Sequence, residues 1–202
     1  MPRYVFLDIE TSGLPLMIGF NKYHDYKRLD MYASSRVIQL ALSIYDDSKL
    51  VETHNVIIKP LGYEIKNSEF HSITHEHALV YGVNMFELRD ILSKAFEKNN
   101  ILVAHNVLFD KNVLLSDLYR NNLDDVCVLL DQIAVYCTCT NSINITKIPF
   151  SAYSYKLPKL SELYAFLFHS QPTNQHDALG DVETLVKIFF ELQKRGLLLA
   201  NV

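Results

Sequence analysis

The sequence predicts an α/β fold, a mixed five-stranded β-sheet with helices on both faces. Runs of strand-forming residues come first, and strand and helix patterns then alternate, the order expected of a mixed sheet rather than of a sandwich or bundle. The 202 residues are 49% hydrophobic and 21% charged, which is enough apolar surface for a folded core. The length falls within about 100 to 200 residues per domain, so residues 1–202 are expected to form a single domain.

Residues 3–10 are an apolar run, and 37–45 and 53–58 have the same character. Asp46-Asp47-Ser48-Lys49 is a turn signal, so the second and third strands are expected to pair as an antiparallel hairpin. Apolar residues recur at helical spacing over 75–81 and 85–98, and the short run 101–104 reads as a buried strand. A helix is expected from about 107 to 120, and the apolar run 126–130 reads as the fifth strand. Further helices are expected at 160–168 and 177–194, the last stopped by Gly196.

The net charge of -4 and pI near 6.0 argue against a protein that coats nucleic acid by bulk charge. An enzyme acting on nucleic acid is still compatible, because clustered metal-binding acids lower the net charge and bound cations restore it locally. Met1-Pro2-Arg3 leads straight into the first strand with no charged leader or apolar core of a signal peptide. No apolar stretch reaches the roughly 20 residues that span a bilayer. Cys127, Cys137 and Cys139 are an odd count, read as free thiols of an intracellular protein, cytoplasmic or nuclear and not secreted. A zinc site at Cys137 and Cys139 lacks two further ligands at suitable spacing.

Two stretches break the periodicity. Residues 15–35 gather Lys22, Tyr23, His24, Tyr26, Lys27, Arg28 and Tyr32, and residues 137–154 are rich in Thr, Ser, Asn and Tyr. Basic residues interleaved with aromatics suit phosphate contact and base stacking, and an ordinary surface loop accounts for them equally well.

The chemistry rests on five residues. Asp8 and Glu10 stand at i and i+2 of an apolar strand, so both side chains share one face. Two adjacent carboxylates repel and are costly to bury unless a cation compensates, although on their own such a pair is more simply a solvent-facing strand. Asp110 follows Ala104-His105-Asn106 by about one helical turn, with Phe109 placed to pack inward. His176 and Asp181 stand at the start of the final helix, where an ordinary cap cluster is the plain alternative.

Together, Asp8-Ile9-Glu10-Thr11-Ser12-Gly13-Leu14, Ala104-His105-Asn106 through Phe109-Asp110, and His176 through Asp181 resemble the three motifs of the DEDDh 3′-to-5′ exonucleases. That ribonuclease H-like group includes proofreading epsilon subunits and ribonuclease T. Order and spacing match over nearly the whole chain, which a single motif would not establish. The resemblance implies a ribonuclease H-like sheet and a metal-dependent 3′-to-5′ exonuclease acting on single-stranded DNA ends. It assigns Asp8, Glu10, Asp110 and Asp181 to two Mg2+ or Mn2+ ions, which suit hard oxygen ligands and an in-line displacement. His176 matches the general base that deprotonates the attacking water. The resemblance also places Thr11, Leu14, Asn106 and Phe109 beside the terminal nucleotide, where each has an ordinary alternative as turn, core or cap. For Phe109, packing into the core is the better of the two. His105 belongs to the motif as a structural hydrogen-bonding residue. The cluster His71, His75 and His77 lacks a carboxylate or cysteine partner and reads as surface or packing.

The long 15–35 stretch and Gly180 depart from many relatives and bear on substrate preference, not chemistry. An RNA-trimming enzyme of the same fold and a non-catalytic nucleic-acid-binding module are the competing readings. A DNA polymerase is the natural candidate partner of the proofreading reading.

Overall fold

The computed structural model describes residues 3–173 and 177–198. Its main sheet contains β1 (Arg3–Thr11), β2 (Val37–Asp46), β3 (Lys49–Ile57), β4 (Asn100–Ala104) and β5 (Ala134–Cys137), in the spatial order β3-β2-β1-β4-β5. β1 runs antiparallel to β2 and parallel to β4, and β5 continues the parallel half. The sheet is therefore mixed, and it changes character across β1.

β2 and β3 form the expected hairpin, but pairing extends to Asp46↔Lys49. The tight turn is made possible by Asp47, whose φ of 52° lies in the left-handed region that Asp tolerates. β3 therefore begins at Lys49, not at residue 53.

Helices α1 (His75–Tyr81), α2 (Arg89–Ala95), α3 (Val107–Arg120), α4 (Asp124–Gln132), α5 (Leu160–Phe168) and α6 (Ala178–Lys194) complete the described frame, with short single turns between them. The 85–98 segment divides into a tighter turn at Met85–Leu88 followed by α2.

Alternation along β1 builds two layers. Val5, Leu7 and Ile9 face a core shared with Leu92 of α2, Val113 and Leu114 of α3, and Val126 and Leu130 of α4. Tyr4 and Phe6 point the other way, against Val182, Leu185 and Phe189 of α6. Phe189 packs edge-on against Phe6 at 5.3 Å between ring centroids, an arrangement that adds to area burial. Asp8 and Glu10 continue the Tyr4–Phe6 row and therefore face the α6 side.

The fifth strand is not at 126–130. That segment lies within α4, which buries Val126, Cys127 and Leu130 and leaves Val128 51% exposed. Spacing i, i+1, i+4 is a helical face, and Asp124 and Asp125 in the first turn suit the helix dipole. A five-residue apolar run has no periodicity to separate these outcomes. The true edge strand, β5, buries only Tyr136 among its four residues, so it carries little hydrophobic signal.

Candidate active site

The site forms at the carboxyl ends of β1 and β4, where the sheet turns from antiparallel to parallel. The parallel β1–β4 ladder covers only Arg3↔Asn100 through Phe6↔Val103. Past it, the chain leaves β4 through His105 and Asn106, the latter at φ 72°, and enters α3. The Ile9 N–H, beyond the ladder, donates to Asp110 Oδ1 at 3.3 Å. Ending β4 early thus leaves a backbone donor that brings Asp110 of α3 around to the acids of β1.

A carboxylate oxygen from each of Asp8, Glu10 and Asp181 lies within 4.8 Å of the others. Asp110 is buried beside this group, and its charge and that of Asp181 act directly on Asp8. All four predicted carboxylates therefore converge from three separated segments.

Their electrostatics disfavour four ionised acids side by side. Burial pushes the Asp8 carboxyl well above the usual range, and Asp110, Asp181, Glu10 and Asp177 push it further. Burial, then Asp181 and Asp177, raise Glu10 to about 7. Burial lifts Asp110 to about 8, although the N–H groups of Asp110 and Ile9 pull it back. Four acids facing one another favour either shared protons or a bound cation. Among the described residues the donors of this cluster are carboxylate oxygens, which fit Mg2+ or Mn2+.

Asp181 reaches the group because α6 is clamped to the sheet. Asp177 caps the helix by accepting from the Gly180 N–H at 3.1 Å, and its other oxygen accepts from Gln39 Nε2 at 2.8 Å. Gln39 Oε1 accepts in turn from the Ala178 N–H at 3.3 Å. Gln39 sits directly across the ladder from Glu10, so one amide aligns the helix start with the acid on the neighbouring strand. Sequence reading passed over Gln39, although a lone amide in the apolar run Val37-Ile38-Gln39-Leu40-Ala41-Leu42 was a visible anomaly.

The segment after Glu10 is tied down by its own hydroxyls. The β1–β2 register shifts between Glu10 and Thr11, a bulge that turns the chain out of the sheet. Thr11 Oγ1 donates to the Gly13 carbonyl at 2.9 Å, and Ser12 Oγ to that of Ser34 at 3.1 Å. A Cβ on Gly13 would stand 2.8 Å from the Ser34 oxygen, so only glycine permits this approach. Leu14 is left 71% exposed at the rim. Phe109 packs partly buried against the core, and the Asn106 side chain lies close to Tyr23 from the 15–35 stretch.

His105 hydrogen-bonds through Nδ1 to Thr138 Oγ1 and through Nε2 to the Pro158 carbonyl, both at 2.9 Å. Burial pushes its pKa down to about 4, so it is a neutral strut. His71 Nδ1 and His75 Nδ1 accept from the N–H groups of Ile73 and Ile65, and His77 stacks edge-on with Tyr81. These rings serve local packing. Cys127, Cys137 and Cys139 are free thiols. His176 lies outside the described residues. No helix among the described residues is long and apolar enough to cross a membrane.

Comparison with known proteins agrees with this geometry. The RNase T family model, described as exonuclease, matches residues 5–189. The chain is 28% identical over 201 residues to the PolC-type DNA polymerase III of Mycoplasmopsis pulmonis (strain UAB CTIP), across 96% of this chain and 12% of that protein. It thus spans a small part of the length of that curated relative. Among solved structures, E. coli exonuclease I in complex with a dA16 oligonucleotide superposes with a TM-score of 0.70 at 18% identity, over 98% of this chain and 42% of that one. Its complex with dT13 gives 0.71 at 18% identity over 96% and 42%. These likenesses show the ribonuclease H-like fold, an α/β sheet of five mixed strands with helices on both faces.

Proposed function

This chain belongs to the exonuclease family, and from that premise we propose that it is a DEDDh enzyme that removes nucleotides one at a time from the 3′ ends of single-stranded DNA. The observation that carries this reading is the convergence of Asp8, Glu10 and Asp181 within 4.8 Å beside buried Asp110.

In this reading the four carboxylates hold two Mg2+ or Mn2+ ions. Such ions supply Lewis acidity and offset the charge that develops on the attacking and departing oxygens. Asp8 and Glu10 approach from the strand, Asp110 from α3 and Asp181 from α6, so the phosphodiester is held between rigid elements. His176, which directly precedes the helix cap Asp177 in sequence, takes the proton of the attacking water. An imidazole with an ordinary pKa of about 6.5 is suited to that task near neutrality. Thr11 and Leu14 at the rim and Asn106 and Phe109 at the α3 start bind the terminal nucleotide. The exposure of Leu14 and the approach of Tyr23 to Asn106 support a cleft above the acids.

DNA is favoured because the solved neighbours named above were complexed with DNA oligonucleotides. The polymerase relative supports a proofreading role, with this chain acting as one exonuclease domain beside or within a DNA polymerase. Free thiols suit an intracellular setting.

The test uses oligonucleotides labelled at either end, as matched DNA and RNA strands, with Mg2+ or Mn2+. Stepwise shortening from the 3′ end, abolished in Asp8→Ala and strongly reduced in His176→Ala, is expected. No shortening above the Asp8→Ala background would refute the enzyme reading, and faster loss of RNA would move the substrate to RNA.

A further inference from the structure

A groove of about 740 Å3 runs between the two stretches that interrupt the fold's periodicity, lined by Phe20, Ile143, Phe150, Tyr155, Lys156 and Leu157 among others. One wall is the small hairpin formed by Met17–Gly19 and Lys22–Tyr23. The other is built from single turns at Thr138–Asn141 and Ile143–Thr146 and a second small hairpin, Pro149–Ser151 with Ser154–Tyr155.

The two walls meet the candidate site at consecutive residues. Tyr23 lies close to the Asn106 side chain at the start of α3. His105 holds Thr138 with one ring nitrogen and the Pro158 carbonyl with the other, at both ends of the opposite wall. This wall is therefore tied to the residue that directly follows β4, five positions before Asp110.

Its surface is unusual for this molecule. Phe20 is 81% and Phe150 76% exposed. Exposed aromatic rings facing one groove mark a binding surface more often than an accident of packing. The charge is also local. Residues 133–161 carry Lys147, Lys156 and Lys159 and no acid, within a chain of net charge -4. Lys156 is ion-paired with Glu162 just beyond this stretch, at 2.6 Å, so Lys147 and Lys159 are the cations this wall offers to a phosphate. Lys22 adds a further cation on the facing hairpin.

We propose that this groove binds the bases of single-stranded nucleic acid upstream of the terminal nucleotide, stacking them on Phe20, Phe150 and Tyr155 while nearby lysines contact phosphates. The proposal rests on the nuclease reading for its direction, since a polymer whose end lies at Asp8 and Asp110 must leave along the surface beside them. Aromatic faces accept any base, which suits an enzyme that shortens strands of arbitrary sequence. Aromatic rings near Lys22, Lys147 and Lys159 favour a polyanion with stacking faces over a second copy of an acidic chain.

Binding of fluorescein-labelled oligothymidylates, from a dinucleotide to about twelve nucleotides, is measured by anisotropy on the full chain in EDTA, so that no strand is consumed. Affinity is expected to climb with length until the groove is filled. Phe20→Ala and Phe150→Ala should each weaken binding of the long strands by about 10-fold and flatten the length dependence. Phe86→Ala, at a ring 63% exposed elsewhere, controls for loss of an exposed aromatic. Equal length dependence in the groove variants and Phe86→Ala overturns the proposal, as does absence of binding at every length. A dimer seen by sedimentation velocity that dissociates in the groove variants, with oligonucleotide affinity unchanged, also overturns it and makes the groove a self-association surface. Length-dependent binding lost in the variants supports the proposal even if the protein with Mn2+ leaves strands intact, an outcome that would refute only the nuclease reading.

Discussion

Asp110 and Asp117 stand seven residues apart on α3, both almost wholly buried, at 3% and 2% exposure, and their surroundings are opposite. Asp117 is ion-paired with Arg36 and accepts a 2.7 Å hydrogen bond from the Val37 N–H, with Arg120 3.5 Å away. The Arg36 guanidinium in turn stacks 4.4 Å from the Tyr63 ring. Burial pushes Asp117 up while these cations and the N–H pull it back. Asp110 has one backbone donor from β1 and an arc of other acids. A buried carboxylate compensated within the fold is part of the scaffold. A buried carboxylate among its own kind is stabilised by a bound cation or a proton.

The sharpest way to break that contrast is to neutralise each acid. Asp110→Asn should lower turnover by about 1,000-fold or more and leave stability in EDTA unchanged or higher, because repulsion is relieved. Asp117→Ala strands Arg36 and should lower the free energy of urea unfolding by about 3 to 5 kcal/mol, with turnover per folded molecule little changed. If the folded Asp117→Ala protein were as inactive as Asp110→Asn, the distinction between scaffold and site would fail.

A smaller effect is expected at Gln39, whose amide holds the α6 cap opposite Glu10. Gln39→Ala should reduce turnover by about 10- to 100-fold, mainly through weaker metal affinity. Isothermal titration of Mn2+ reads that affinity directly, and an unchanged value would make Gln39 only a packing residue.

The mildest is a pH dependence with the reverse of the usual sign. Asp and Glu titrate near 4 when unfolded, whereas Glu10 and Asp110 are raised to about 7 and 8 in the fold. The metal-free native state binds more protons than the unfolded chain between those values, so the contribution of these groups to stability is present at low pH and falls as pH rises toward 8. Added Mg2+ should flatten this slope by binding the ionised cluster. Melting in EDTA from pH 5 to 8 checks it, and a contribution from these groups that rose with pH, read as the difference from Glu10→Gln and Asp110→Asn, contradicts the assignment.

Much of this was readable in advance because it is local. The alternation of Tyr4, Val5, Phe6, Leu7, Asp8, Ile9 and Glu10 specifies a strand with two acids on one face. The helical pattern of 107–120 matches α3 residue for residue. The 126–130 run failed for the same reason that others succeeded, since five apolar residues are too few to show a period. β5 was missed because an edge strand with one buried side chain leaves little pattern. Gln39 was missed because its partners, Asp177 and Ala178, lie about 140 residues away, near the other end of the chain.

The sequence alone determined the mixed α/β class and the family resemblance, and it singled out the four acids that the structure brings together. Those properties follow from side-chain periodicity and short motifs, which local chemistry imposes. Only the tertiary structure decided that Asp110 bonds the Ile9 N–H beyond a prematurely ended ladder, that Gln39 clamps α6, and that the two irregular stretches wall one groove with one wall held by His105. Each depends on where separated backbone segments end in space, and a hydrogen bond between distant residues leaves no periodic trace in either one.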